Sequence, residues 1–181
     1  MHTDAAWRLI DEARAGLPQH AGANDVAARM EALLTRRWPV DILGFAQPMW
    51  DLFVNSCRVD LWVAAYLING GASDDGFDAF RGWLIAQGRT TYERALASPD
   101  SLAGHPAVIE VATTGDDLWG EDMIKVVWRA YETVTGNALP DDATTGAHPD
   151  LDPLWDFDFD DDAEIRRRLP RLADRFLRDG A

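Results

Sequence analysis

Polar and apolar positions recur at helical spacing along nearly the whole chain, and alternation with a period of two is confined to one short stretch near the C-terminus. In the first segment Ala6, Trp7, Ile10 and Ala13 share one face, with Thr3 placed to cap the helix and Gly16 and Pro18 to close it. A second helix is expected from Asn24. Its buried stripe is Val26, Met30, Leu33 and Leu34, with Trp38 as a further candidate before Pro39 ends the run. From Val40 to Ile68 apolar residues are so dense that this stretch is the expected centre of the core, broken or kinked at Pro48 and restarted at Asp60. After the turn Asn69-Gly70-Gly71, Ser73 or Asp74 can cap a helix buried through Phe77, Phe80, Leu84 and Ile85 and ended by Gly88. Further helices are predicted over Tyr92 to Leu96, around Ala107 to Ala112 and from Trp119 to Val134, with a turn at Ser98-Pro99-Asp100-Ser101.

The last quarter reads differently. Residues 135–150 are rich in Gly, Pro, Thr and Asp and form an expected long surface connection. Trp155-Asp156-Phe157-Asp158-Phe159-Asp160 alternates ring and acid, as a short strand or an extended loop pinned by its rings would. The closing stretch from Ala163 to Arg178 is amphipathic through Ile165, Leu169, Leu172, Phe176 and Leu177, and Pro170 is placed to split it. The expected fold is mainly α: a compact single-domain multi-helix bundle over residues 1–181 with at most minor strand content, carrying an acidic-then-basic C-terminal segment over 150–178.

Composition narrows the function classes. A chain of 181 residues can bury a sizeable core without metal or disulfide, and the lone Cys57, expected as a small buried hydrophobe, fits a reducing compartment. The opening residues lack a basic flank followed by an apolar run, and no apolar stretch is long enough to span a bilayer, so a soluble cytoplasmic protein with no membrane partner is expected. With 31 acidic against 17 basic residues the net charge is -14. Such a field repels nucleic-acid phosphates; it suits a basic protein partner or mimicry of nucleic acid toward a protein that binds it, and solubility alone is the plainer account.

The residues from Asn69 to Arg89 are the densest in groups able to do chemistry. Asp74 and Asp78, or Asp78 and Arg81, share a helix face, so Asp74, Asp75 and Asp78 are candidate catalytic carboxylates or ligands of a divalent metal. Ser73, Arg81, Trp83, Gln87 and Arg89 are the candidate ligand contacts beside them. The competing reading is structural: acids at a helix start offset the macrodipole, and an arginine one turn on completes an ion pair. Gly70, Gly71 and Gly76 invite a phosphate loop, but neither the Walker spacing nor the dinucleotide fingerprint is present.

A second acidic constellation runs from Asp150 to Glu164. Asp156, Asp158 and Asp160 reproduce the first acidic positions of a calcium loop, making them weak metal candidates; Asp161 stands where the tight-turn glycine belongs and Arg167 where the bidentate Glu belongs. The plainer account is an acidic helix start paired with Arg166, Arg167 and Arg168, with Trp155 as a candidate binding ring. His2, His20, His105 and His148 show no zinc spacing, and no Gly-x-Ser-x-Gly is present.

The run Asp60-Leu61-Trp62-Val63-Ala64-Ala65-Tyr66-Leu67-Ile68-Asn69-Gly70-Gly71, continuing through Ser73-Asp74-Asp75-Gly76-Phe77 and Phe80-Arg81-Gly82-Trp83-Leu84-Ile85-Ala86-Gln87-Gly88-Arg89, resembles the bacterial domain-of-unknown-function family numbered 4240. The opening Trp7 to Ala13 and the late Trp155 to Asp158 with Arg166 to Leu172 also resemble it. The resemblance implies no settled activity, but it marks the central and late units as family features whose contact in space is of interest. The leading functional expectation is a non-catalytic, acidic binding or regulatory module engaging a protein or small ligand. The alternative is a metal-assisted or acid/base enzyme using Asp74, Asp75 and Asp78 with Arg81 and Arg89.

Overall fold

Prolines and glycines cut the chain into short helices, and the computed structural model, which describes residues 3–18, 21–146, 151–155 and 157–177, contains eleven α-helices and no strand among them. They are α1 (Asp4–Ala15), α2 (Ala23–Leu34), α3 (Pro39–Leu43), α4 (Ala46–Asn55), α5 (Val59–Ile68), α6 (Asp74–Ala86), α7 (Arg89–Ala97), α8 (Pro106–Thr114), α9 (Asp122–Thr135), α10 (Asp162–Arg168) and α11 (Pro170–Phe176). A 3-10 turn, Pro99–Gly104, joins α7 to α8. The mainly helical bundle expected from periodicity is the observed fold.

Several local expectations are corrected. The Thr3 side chain makes no capping bond. Trp38 is 77% exposed, because Pro39 opens α3 there and turns the chain away from the core. Pro48 does not break its helix: it lies in the first turn of α4, where its missing N–H has no helical acceptor to lose. Pro170 does split the last helix, opening α11. The alternating stretch is not a strand; Pro153–Trp155 is a 3-10 turn followed by bends, and Asp156 lies outside the described residues. Cys57 is half-buried rather than enclosed.

The core is wider than Val40 to Ile68. α5 is buried almost all round, and α6 equally so, with Phe77, Ala79, Phe80, Arg81, Gly82, Trp83, Leu84, Ile85 and Ala86 all buried. α6 packs against α2, α4, α5, α7 and α9, which makes it an interior helix. One crossing is tight enough to require glycine. A Cβ on Gly82 would stand 2.1 Å from the carbonyl oxygen of Gly120, and one on Gly120 would stand 2.3 Å from the Trp83 nitrogen. The Gly120 N–H donates to the Ala79 carbonyl at 2.9 Å in this crossing, so loop backbone rests directly on helix backbone.

The connection after α9 is tied down by Gln47, whose amide exchanges hydrogen bonds with the Thr145 backbone at 2.6 and 3.1 Å. Buried Asp100 accepts from the Leu172 N–H at 2.9 Å and anchors α11. These contacts lay the C-terminal segment over one side of α5.

Candidate binding groove and the central helix

Most polar groups of the central unit are used by the fold, although the buried Arg81 Nε has no hydrogen-bond partner among the described residues. Ser73 Oγ accepts from the Gly76 N–H at 3.2 Å and caps α6, while Asp74 and Asp75 point into solvent in its first turn. Arg81 is 3% exposed: one guanidinium nitrogen donates to Asp78, another to the Phe53 carbonyl at 2.5 Å, and its charge lies over the Phe77 and Phe53 rings at 5.0 and 5.8 Å. Trp83 is buried against Phe80 and His105. Gln87 donates back to the Trp83 carbonyl. Arg89 pairs with Glu93 at 2.6 Å and Asp4 at 2.9 Å, and these two acids, Glu93 foremost, push its pKa further up.

These groups therefore do not converge on a shared hollow. Only Asp78 and Arg81 come together, and they do so as a helix-surface pair whose cation is spent on packing α6 against α4. Gly70 and Gly71 form the turn that ends α5, with the Gly71 N–H returned to the Tyr66 carbonyl at 2.8 Å; Gly76 is an ordinary first-turn residue of α6. Among the described residues no three His, Cys, Asp or Glu side chains stand together as a metal-binding group. His2, His20, His148, Asp150 and Asp156 lie outside the described residues.

The open surface lies on the other side of α5. Trp62 and Tyr66, one turn apart on that helix, are its half-buried rings, and residues 151–155 and 157–159 lie across them. Between the two runs a trough of about 480 Å³ is lined by Val59, Trp62, Leu151, Asp152, Pro153, Trp155, Phe157 and Phe159. It continues at one end into a hollow of about 140 Å³ beside Cys57, Arg58 and Asp60, and at the other into one of about 350 Å³ beside Tyr66, Asp160, Asp162 and Phe176.

Rings form the floor. Trp155, Phe157, Phe159 and Tyr66 follow one another at centroid separations of 6.2, 5.8 and 5.6 Å. Trp62 stacks on Phe77 of α6 at 4.8 Å and donates its indole N–H to the Ala72 carbonyl at 2.9 Å, so its ring is fixed while it lines the trough. The central and late units thus meet through this ring stack and through the Tyr66 hydroxyl, which donates to Asp160, rather than through Asp74, Asp75 or Asp78.

Carboxylates form the rim. Asp152 and Asp158 cap local turns by accepting from the Leu154 and Asp160 N–H groups, and Asp160 accepts from the Tyr66 hydroxyl at 2.6 Å. That bond, with burial and the Asp160 and Asp158 charges behind it, raises the Tyr66 pKa. Asp161 caps α10 through the Ala163 and Glu164 N–H groups. Glu164 holds Arg167 and Arg168 at 2.8 Å each, and their guanidiniums pull its carboxyl down to about 2. Arg168 then lies over the Trp155 ring at 4.8 Å and the Phe157 ring at 5.0 Å. The cluster is already a site where a guanidinium meets aromatic faces with a carboxylate behind it.

Sequence reasoning picked out Trp155 but read Trp62 and Tyr66 as packing. The available signal was their spacing: in a helix apolar on every face, the two rings with polar tips stand four residues apart on one line.

A family model described as "Protein of unknown function (DUF4240)" matches residues 1–133. No curated protein and no solved structure matches the chain. The match takes in α1 to α8 and most of α9 and stops before Trp155, so the trough has one wall inside the matched region and the other beyond it.

Proposed function

The chain belongs to the DUF4240 family, and from that premise we propose that it is a non-catalytic binding module whose aromatic trough takes a basic, extended segment of a partner protein. The observation that carries this reading is Arg168 over Trp155 and Phe157, since the chemistry asked of a partner arginine or lysine is realised there within the chain itself. The carboxylates of Asp152, Asp160 and Asp162 along the rim supply the charge complement, with the Asp158 charge close enough to act on Tyr66, and the overall -14 steers a cationic segment toward it. The trough is open and elongated, which suits a stretch of polypeptide better than an enclosed small molecule.

The alternative enzyme finds no support in this geometry. Asp74 and Asp75 are solvated, Arg81 is enclosed and Arg89 is neutralised by two acids.

The test is a titration with an arginine-rich peptide, read by tryptophan fluorescence and calorimetry, with a glutamate-rich peptide of equal length as control. Binding is expected to weaken as salt rises, and to fall about tenfold in Trp155→Ala and again on charge reversal of Asp158 and Asp160. Affinity indifferent to both salt and charge reversal sinks the proposal.

A further inference from the structure

A second concavity carries the opposite charge. α7, the 3-10 turn and the start of α8 enclose a hollow of about 280 Å³ lined by Thr91, Arg94, Ser101, Gly104 and His105, with Leu102 and Pro106 as its apolar wall. Among the described residues no carboxylate lines it, although acids outnumber bases 31 to 17 in the chain. It shares no lining residue with the trough.

The Ser101 hydroxyl is taken, donating to the Arg94 carbonyl at 3.2 Å, but among the described residues the other side-chain donors of the hollow are uncommitted. Arg94 stands one turn and a half beyond Arg89 on α7; Arg89 is held by Glu93 and Asp4, whereas among the described residues the Arg94 guanidinium makes no ion pair or hydrogen bond. The Thr91 hydroxyl makes none either. The Arg171 guanidinium passes over Gly104 at the edge of the hollow, 3.3 Å from where a Cβ on that glycine would stand, and it too lacks an acidic partner among the described residues. His105 Nδ1 accepts from the Ala107 N–H at 3.3 Å and caps α8, so in the neutral ring the proton resides on Nε2 as a further donor. Burial, with Arg14 and Arg94 behind it, lowers the His105 pKa and favours the neutral ring. The positive end of α8 adds to the same field.

We propose that this hollow binds a small organic phosphate, its phosphoryl group held by Arg94, Arg171, Thr91 and His105 and its organic part laid on Leu102 and Pro106. Two guanidiniums and a helix start match a doubly charged oxyanion better than a single carboxylate. The hollow is also roomier than bare phosphate needs and falls near the lower end of ligand-site volumes, about 300 Å³. The acidic surface elsewhere does not cancel the site, because exposed charges more than about 8 Å away are screened at physiological salt.

The experiment follows the assigned His105 imidazole resonances of the full chain by NMR. Glycerol 3-phosphate, inorganic phosphate, acetate and chloride are titrated at matched ionic strength. A saturable shift with both phosphates, tighter for the ester, is expected, with at least about tenfold weaker binding in Arg94→Gln and a smaller loss in Thr91→Val. Arg175→Gln, an exposed basic residue of α11, is expected to leave affinity unchanged. A non-saturating shift shared by chloride overturns the site; acetate binding as tightly as the phosphates overturns the ligand class; unchanged affinity in Arg94→Gln overturns the assignment of residues. Peptide binding in the trough is read separately and is expected to be the same in Arg94→Gln.

Discussion

The central helix and the C-terminal segment are both dense in acids, arginines and rings, yet only the second leaves its rings open. In and around α6 the polar groups other than the solvated Asp74 and Asp75 serve the fold: Ser73 caps, Arg81 ties α6 to the Phe53 carbonyl of α4, Gln87 returns to its own helix and Arg89 of α7 crosses to α1. Over α5 the late segment is held by turns, which bury fewer faces than a helix, and its rings stay half-exposed beside solvated acids. Density of reactive side chains in the sequence thus marked a packing centre in one case and a surface in the other. The deciding variable is how many neighbouring elements close around the residues.

Substitutions can break this contrast at graded cost. The largest effect is expected from Gly82→Ala, whose methyl would meet the Gly120 carbonyl; a loss of about 3 kcal/mol or more should show in a thermal melt, and an unchanged melt would deny α6 its packing role. Arg81→Met leaves the Phe53 carbonyl without its donor and is expected to cost about 2 kcal/mol in a urea titration. Ser73→Ala should cost about 1 kcal/mol through the lost cap and leave peptide binding intact. Trp155→Ala should do the reverse, lowering stability by less than about 1 kcal/mol while weakening peptide binding about tenfold.

The smallest effect is one of pH. Arg167 and Arg168 lower the Glu164 pKa from its ordinary 4.5 to about 2, so the pairing stabilises the fold fully above pH 4.5 and is lost as pH falls through 2. Over that window Arg168 should loosen from Trp155. The change in tryptophan emission between parent and Glu164→Gln is expected to be large at pH 5 and to vanish near pH 2.

How far the site could be read ahead of the structure differs residue by residue. The alternation of Trp155, Phe157 and Phe159 with acids allows a short strand or an extended loop pinned by its rings, and Trp155 stands out as a candidate binding ring; the ring-lined trough itself is not legible there, because its other wall comes from α5. Trp62 and Tyr66 were hidden among apolar neighbours of α5, where helical spacing gives packing and exposure the same signature. Thr91, Arg94, Ser101 and His105 carry no motif at all. They meet only because Pro99 and Pro106 fold α7, the 3-10 turn and α8 around one corner.

From sequence alone came the helical class, most helix positions, the split at Pro170 and the acidic character of the surface, since periodicity, proline and charge act locally or as simple sums. Which arginine is buried, which is paired and which is open was decided by tertiary packing. A guanidinium's role depends on what lies within a few ångströms of it, and for Arg81, Arg89 and Arg94 those neighbours come in part from α4, α1 and α8, distant along the chain.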